Sequence, residues 1–372
     1  MSENNKHILW VTNWYPNKHH RTLGNFVKRH AEAASIYNDI TVLAPIAGNG
    51  WSVEIEQTNN LTEIRSYYPK WLRFIGAWVA YKRGLKQVKR PIVAVHGHAL
   101  IGCWWMLLNL SKHHKTLLTE HWAGFHHNDE RSLSYLKKMG MKRAGQTLEQ
   151  ALPVTEQLGV TMQQLGYINS YKVVANVVNT ELFVPKKKST SEDFCRFIHV
   201  STLDDAQKNI RGIIDVARVL KEENSAFHLE IIGDGATTPW IDMAENSDLY
   251  PQWVSVEGEK PLEDIARHMQ QADALVMFSR YENFPCVIAE AMACGLPIIA
   301  TDVGGISEHV TPSNGILISS EDKVALKQGM IKLITNYSQF NTQTIRQYAE
   351  DHFSYGAVGK KIADVYAELL SQ

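Results

Sequence analysis

No run of apolar residues in this 372-residue chain is long enough to span a bilayer. The longest, Ala99 to Leu110, stops well short of the ~20 residues that a spanning helix needs. The four cysteines, Cys103, Cys195, Cys286 and Cys294, include no C-x-x-C pair, which argues for a reducing compartment and against a zinc knuckle. The opening MSENNKHILWV puts Glu3 ahead of a short apolar run and is not expected to be a signal peptide. A cytoplasmic protein is expected, with room for peripheral association at the inner face of a membrane. H-E-x-x-H and Asp-x-Asp are both missing, and no G-x-G-x-x-G opens a helix after the first strand, which disfavours a Rossmann dehydrogenase. A net charge of −1 with 21% charged residues implies neither a nucleic-acid binder nor a disordered tail. The charge is nevertheless uneven. Ile64 to Thr119 holds no Asp or Glu but ten Lys and Arg residues.

At this length the chain fits two domains of ordinary size. His7 to Thr12 reads as a strand that breaks into NWYPNKHHRTLGN, and Phe26, His30, Ala33 and Ala34 then recur at helical spacing. Further strands are expected at Ile40 to Pro45, at Ile92 to Val95 ending in HGH, and at Thr116 to Thr119 ending in EHW. YKVVANVV, Tyr171 to Val178, closes the first half, and VPKKKSTSED suits a linker. A second series follows: FIHVS, a helix near Arg211 to Glu222, HLEIIGDG, WVSVEG, a helix Leu262 to Gln270, and ALVMFS. DHFSYGAVGKKIADVYAELL reads as one amphipathic helix with Val358, Ile362, Val365, Tyr366 and Leu369 on one face. Alternation of this kind predicts α/β architecture with parallel sheets, and functional residues in loops after the carboxyl ends of strands.

The most informative stretch is SRYENFPCVIAEAMACGLPIIATDVGG, Ser279 to Gly305. A buried strand ends at Phe278, Pro285 suits the first helical position, and Gly295 with Pro297 stops the helix. Glu282 then lies at the mouth of the helix and Glu290 on its second turn. The N–H groups of Asn283 and Phe284 and the positive helix end face the same crevice, which suits a phosphate.

Glu-(seven residues)-Glu with the aromatic-Pro pair, the EAMACGLP run and ATDVGG resembles the signature of the retaining glycosyltransferases of sequence family 4. The resemblance implies a GT-B fold, two Rossmann-like parallel-sheet domains facing across a cleft. Residues 1–180, joined by a C-terminal helix 356–372, would bind acceptor, and residues 181–355 a nucleotide-diphosphate sugar. It implies Glu282 beside the transferred sugar and Glu290 on the ribose hydroxyls. In STLDDAQKN, Lys208 matches the Lys of the family's Arg-Leu-…-Lys-Gly element, which neutralises the donor pyrophosphate; the Arg position is Thr202, leaving backbone amides or Arg211 to compensate. Gly233-Asp234-Gly235 resembles the family's sharp turn near the nucleotide, Gly24 the glycine of the first loop, and His121 the strand-end His that shapes the reacting site.

Each of these residues also has an ordinary reading: solvated helix-end carboxylates, a surface lysine, turn glycines, a structural histidine. His96 and His98, with His121, His126 and His127, raise a metal site, but catalysis without a divalent ion is the reading that follows, with no cofactor. Eight of the ten tryptophans fall in the first third. Tyr67 to Arg90 mixes aromatics with cations and resembles an interfacial helix, with Trp71, Trp78, Lys82 and Arg83 on an acceptor or membrane side; an ordinary amphipathic helix is the alternative. The expected activity is transfer of a sugar to an acceptor hydroxyl with retention, the acceptor a glycan or a lipid-linked glycan, in cell-surface polysaccharide or glycolipid assembly. The rivals are a nucleotide-sugar epimerase on the same fold and a non-catalytic glycan- or nucleotide-sugar-binding protein.

Overall fold

His7–Val11 (β1) is buried along its whole length, and its residues alternate between two cores. Ile8 and Trp10 enter one, Leu9 and Val11 the other, as a strand covered on both faces requires. The computed structural model describes residues 6–125, 132–185, 194–336 and 339–371. It divides into two units, Met1–Val177 with Tyr355–Gln372, and Val178–Ser354.

In the first unit β1 is followed by α1 (Asn25–Ser35), β2 (Asp39–Gly48), β3 (Ser52–Thr58), β4 (Leu61–Pro69), α2 (Arg73–Leu85), β5 (Ala94–His98) and α3 (Leu100–Leu110). Then come β6 (Lys115–Glu120), α4 (Tyr135–Gln146), β7 (Gln150–Pro153) and α5 (Glu156–Gln164). The seven-stranded sheet runs β3-β4-β2-β1-β5-β6-β7, parallel except for the β3–β4 hairpin. Without β3 this is the doubly wound order 3-2-1-4-5-6, and it reverses between β1 and β5.

The second unit holds β8 (Cys195–Thr202), α6 (Asp205–Lys208), α7 (Ile210–Glu222), β9 (Phe227–Asp234), α8 (Thr238–Glu245) and β10 (Val254–Glu257). It continues with α9 (Leu262–Gln271), β11 (Ala274–Met277), α10 (Cys286–Ala293), β12 (Ile298–Thr301), β13 (Gly315–Ile318), α11 (Lys323–Thr335) and α12 (Thr342–Phe353). Its six strands, all parallel, run β10-β9-β8-β11-β12-β13, the same winding, with the reversal between β8 and β11. Crevices for ligands open at such reversals, beyond the carboxyl ends of the flanking strands.

Three local expectations change. Tyr67 and Tyr68 close β4 instead of opening a helix, because β4 pairs with both β2 and β3; the helix starts at Arg73. Tyr171 to Val178 makes isolated bridges only, and 186–193 of the expected linker lies outside the described residues. Pro285 is extended and precedes α10. The expected single helix from Asp351 is interrupted: the Val178 N–H takes the Phe353 carbonyl at 2.8 Å and Ser354 turns extended. A new helix, α13 (Tyr355–Ser371), then begins and buries Val358, Ile362, Val365, Tyr366 and Leu369 against α1 and the sheet. Among the described residues no helix is long and apolar enough to cross a membrane.

A buried polar chain ties α13 to the sheet. Trp10 Nε1 donates to the Tyr366 hydroxyl at 3.0 Å, which leaves that hydroxyl's proton for His96 Nδ1 at 2.6 Å. His96 Nε2 then faces Thr119 Oγ1 at 2.8 Å. Tyr366→Phe should cost about 1–3 kcal/mol, since it strands two buried partners while changing almost no volume. Urea unfolding would read this as a lower midpoint at unchanged slope; an unchanged midpoint would show the chain to be energetically idle.

Candidate active site

The two loops at the β8–β11 reversal carry the principal candidates. After β8, α6 brings Lys208 inward. Asn209 then takes a left-handed conformation, φ 53° and ψ 47°, at the position where the resembling family has Gly. Asn tolerates that region better than other non-glycine residues, and here its side chain also caps α7 by accepting from the Gly212 N–H at 3.2 Å. After β11, the chain runs through Phe278 and Ser279 to Glu282. Lys208 Nζ and Glu282 Oε1 are in direct contact, and only 8% and 6% of the two residues is exposed.

Arg280 braces this pair, and sequence reasoning missed it. Its guanidinium reaches the Asp205 carbonyl, Glu321 and Asn209 Oδ1, the last at 3.0 Å. Its N–H donates to the Gln207 carbonyl at 2.8 Å, and Gln207 Nε2 donates to the Tyr281 carbonyl at 3.2 Å. The signal was its place directly after the buried VMFS run. Arg211 is exposed, and its N–H is bound to Asp205; Thr202 lies exposed at the end of β8.

Behind Glu282, Gly304 (φ +60°) passes so close that a Cβ would lie 2.2 Å from the Glu282 carbonyl, so ATDVGG has no room for a side chain there. The Gly305 N–H donates to the Asn283 carbonyl at 2.9 Å. The Phe284 ring packs on His309 and Phe353, at centroid distances of 4.6 and 5.3 Å, and anchors the loop. Glu290 is buried on the second turn of α10, and burial, with the Glu290 carboxylate adding to it, pushes the Cys294 thiol up to about 12. The helix ends as expected, with Gly295 at φ +73° and the Leu296 N–H returning to the Ala291 carbonyl. Gly233 lies against the Ser201 carbonyl, and Gly235 (φ +130°) turns beside Leu203.

In the first unit, Gly24 (φ +70°) precedes α1, and a Cβ there would strike the Trp14 carbonyl. That clash alone accounts for the glycine. His121 is half-buried after β6, 4.4 Å from Phe26 and 5.0 Å from His30 between ring centroids, with Nδ1 3.3 Å from Asn176 Oδ1. Glu120 holds it there. Its carboxyl accepts from the N–H groups of Leu100, His121 and Trp122, each at 2.8 Å, and burial lifts it to about 7.

Burial also keeps nearby imidazoles neutral: His30 at about 4, His96 at about 3, His98 and His121 well below 6.5. His96, His98 and His121 do not converge as ligands. Among the described residues the one group of that kind is Glu230, Glu257 and His268, where His268 already faces Glu230 and Lys260 faces Glu257. His126 and His127 lie outside the described residues. On the expected acceptor side, Trp71 and Arg83 are exposed. Trp78 instead packs on Tyr81 and Trp105, and Lys82 is held by Asn109 and lies over the Trp78 ring, so neither faces outward freely.

Residues 195–336 match the family glycosyl transferases group 1. The chain is 25% identical over 240 residues to the putative colanic acid biosynthesis glycosyltransferase WcaL of Escherichia coli, covering 59% of this chain and 56% of WcaL. The chain spans about half the length of the curated relatives it matches. Among solved structures, sucrose-phosphate synthase from Thermosynechococcus elongatus superposes with TM-score 0.79 at 17% identity, over 98% of this chain and 99% of that one. Anabaena HepE in complex with UDP gives 0.73 at 16%, over 98% and 100%. Likeness at this identity shows the GT-B fold, shared almost end to end.

Two outcomes are expected, one of the Lys208–Glu282 pair and one of the buried imidazoles. Lys208→Met should cost about 3–5 kcal/mol in urea unfolding, because it leaves the Glu282 carboxylate buried alone; Lys208→Met with Glu282→Gln should recover part of that. A loss below about 1 kcal/mol would mean that water already shields the pair. The buried imidazoles bind fewer protons folded than unfolded between about 4 and 6.5, so stability falls as pH drops through that window. Glu120 works oppositely between 4.5 and about 7, but it is one group against five, since burial also lowers His199 of β8 to about 4. A midpoint flat from pH 6.5 to 4 would contradict the neutral imidazoles.

Proposed function

We propose that the protein is a metal-independent, retaining hexosyltransferase that moves a sugar from a nucleotide diphosphate to an acceptor hydroxyl, in cell-surface polysaccharide or glycolipid assembly. The observation that carries this is the buried Lys208–Glu282 pair at the strand-order reversal, inside the group 1 segment. The naming of WcaL for colanic acid biosynthesis and the HepE complexes with UDP and UDP-glucose support the substrate class.

In this reading the bond from the sugar's C1 to the diphosphate oxygen breaks while C1 bonds to the acceptor oxygen on the same face. The acceptor's proton passes to the leaving phosphate. Lys208 offsets the charge that gathers on the diphosphate, and Glu282 keeps that ammonium in place and borders the sugar. Glu290 takes the ribose hydroxyls; Asn283, Phe284, Gly233 and Gly235 shape the donor's bed. Gly24 and His121 serve from the first unit. His121, neutral at ordinary pH, acts as a hydrogen-bonding group and not as a cation. Arg280 positions Lys208, in place of a cation at Thr202. The protein works in the cytoplasm, at the inner face of the membrane.

Glu282→Gln should keep UDP binding but lower turnover at least a hundredfold, whereas Glu290→Ala should chiefly raise the donor KM. Nucleoside diphosphate release that needs an acceptor, and that persists in excess EDTA, separates transfer from epimerisation and from plain binding. Wild-type turnover in Glu282→Gln would refute the site.

A further inference from the structure

Helices α2, α3 and α4 leave a groove of about 510 Å³ in the first unit, within the ~300–1,000 Å³ range of small-molecule sites. Trp104 and Trp105 of α3 line it, with Phe74 and Ala77 of α2 and Leu136 of α4. The Phe74 ring meets the Trp105 ring edge-on at 5.4 Å, and a Cβ on Gly140 would lie 2.4 Å from the Trp104 ring, so α4 crosses close over that indole. The apolar lining is not covered: Phe74 is 55% exposed and Leu136 70%, and beside them Trp71 and Ile75 are 78% and 71% exposed. Apolar surface gathered in this way marks a binding site more often than chance exposure does.

The charge on the described lining of the groove is of one sign. Among the described residues Arg73 and Lys137 line it and no carboxylate does. Among the described residues neither cation has a carboxylate partner. Burial pulls the Lys137 ammonium down, so an anion there would offset a cost already present. Arg73 also holds a φ of +43°, rare for a residue with a Cβ and typical of positions kept for function. At another part of the lining stand Asn13 and Gly102, so close that a Cβ on Gly102 would lie 1.7 Å from Asn13 Oδ1. Asn13 follows β1, so the groove opens beside the first unit's own strand-order reversal.

We propose that this groove holds the hydrocarbon chain of a lipid phosphate, with the phosphate on Arg73 and Lys137. A concave apolar bed with cations on its lining suits one chain with an anionic head, whereas a bilayer surface would need a convex face. Joined to the transferase reading, on which this last step rests, the acceptor is lipid-linked and its sugar lies toward the end of β1.

The test is calorimetric titration of the full chain with farnesyl diphosphate below its micelle-forming concentration, with inorganic diphosphate and farnesol as controls. Wild type should bind farnesyl diphosphate at least tenfold more tightly than either control. Ala77→Trp, which fills the groove, and Arg73→Gln with Lys137→Gln should each weaken it at least tenfold, while melting curves in UDP stay as in wild type. Equal binding by Ala77→Trp, or inorganic diphosphate binding as tightly, overturns the groove. Sedimentation with phosphatidylglycerol vesicles without farnesyl diphosphate binding would make the face a bilayer contact and overturn it too. A UDP response without farnesyl diphosphate binding sinks only the groove; the reverse sinks only the transferase.

Discussion

A buried ammonium and a buried carboxylate are each costly alone, and they become tolerable when held in contact. The second unit is arranged to keep Lys208 and Glu282 in that state. The strand order sets the two loops side by side, a left-handed Asn209 turns one of them inward, and Gly304 gives the other a surface to lie on. Arg280 then stitches the loops together through backbone carbonyls. On the proposed function, an incoming diphosphate would meet a cation already desolvated and fixed, so little reorganisation is left to the moment of reaction.

The first unit shows the complementary strategy. It gathers imidazoles in a buried layer and keeps them uncharged, stacking His98 on Trp10 at 4.0 Å and passing hydrogen bonds from Trp10 through Tyr366 and His96 to Thr119. Polarity there buys geometry. His121 stands at the edge of the layer, and the Glu120 carboxyl, bound to three backbone N–H groups, fixes where its strand ends.

Strand and helix alternation was legible because buried parallel strands are short continuous apolar runs and their helices carry a 3.6-residue period. The motif around Glu282 was legible because its turn, helix start and helix stop use residues with few alternatives. What escaped was tertiary. Nothing local distinguishes Tyr67 and Tyr68 as a strand end until β2 and β3 pair with β4, and the helix stops at Phe353 because a distant N–H at Val178 claims that residue's carbonyl. Trp78 and Lys82 looked like an outward pair by spacing, yet the aromatic neighbours on α3 drew them in. Arg280 escaped because its partners come from two stretches distant from it in the chain, Asp205 with Asn209 on one and Glu321 on the other.

The interruption at Ser354 also has a consequence for synthesis. The first unit owns α13, so the sheet that leaves the ribosome first lacks the helix that covers Ala33 and Trp10 until the whole of the second unit has been made. At about 5–20 residues per second that delay is on the order of ten to thirty seconds. During it, the face built by Val27, Ala31, Ala34 and Ile8 has no lid, and the Trp10 and His96 ring nitrogens lack their tyrosine. The nascent chain therefore carries an open apolar face for as long as its other half takes to appear.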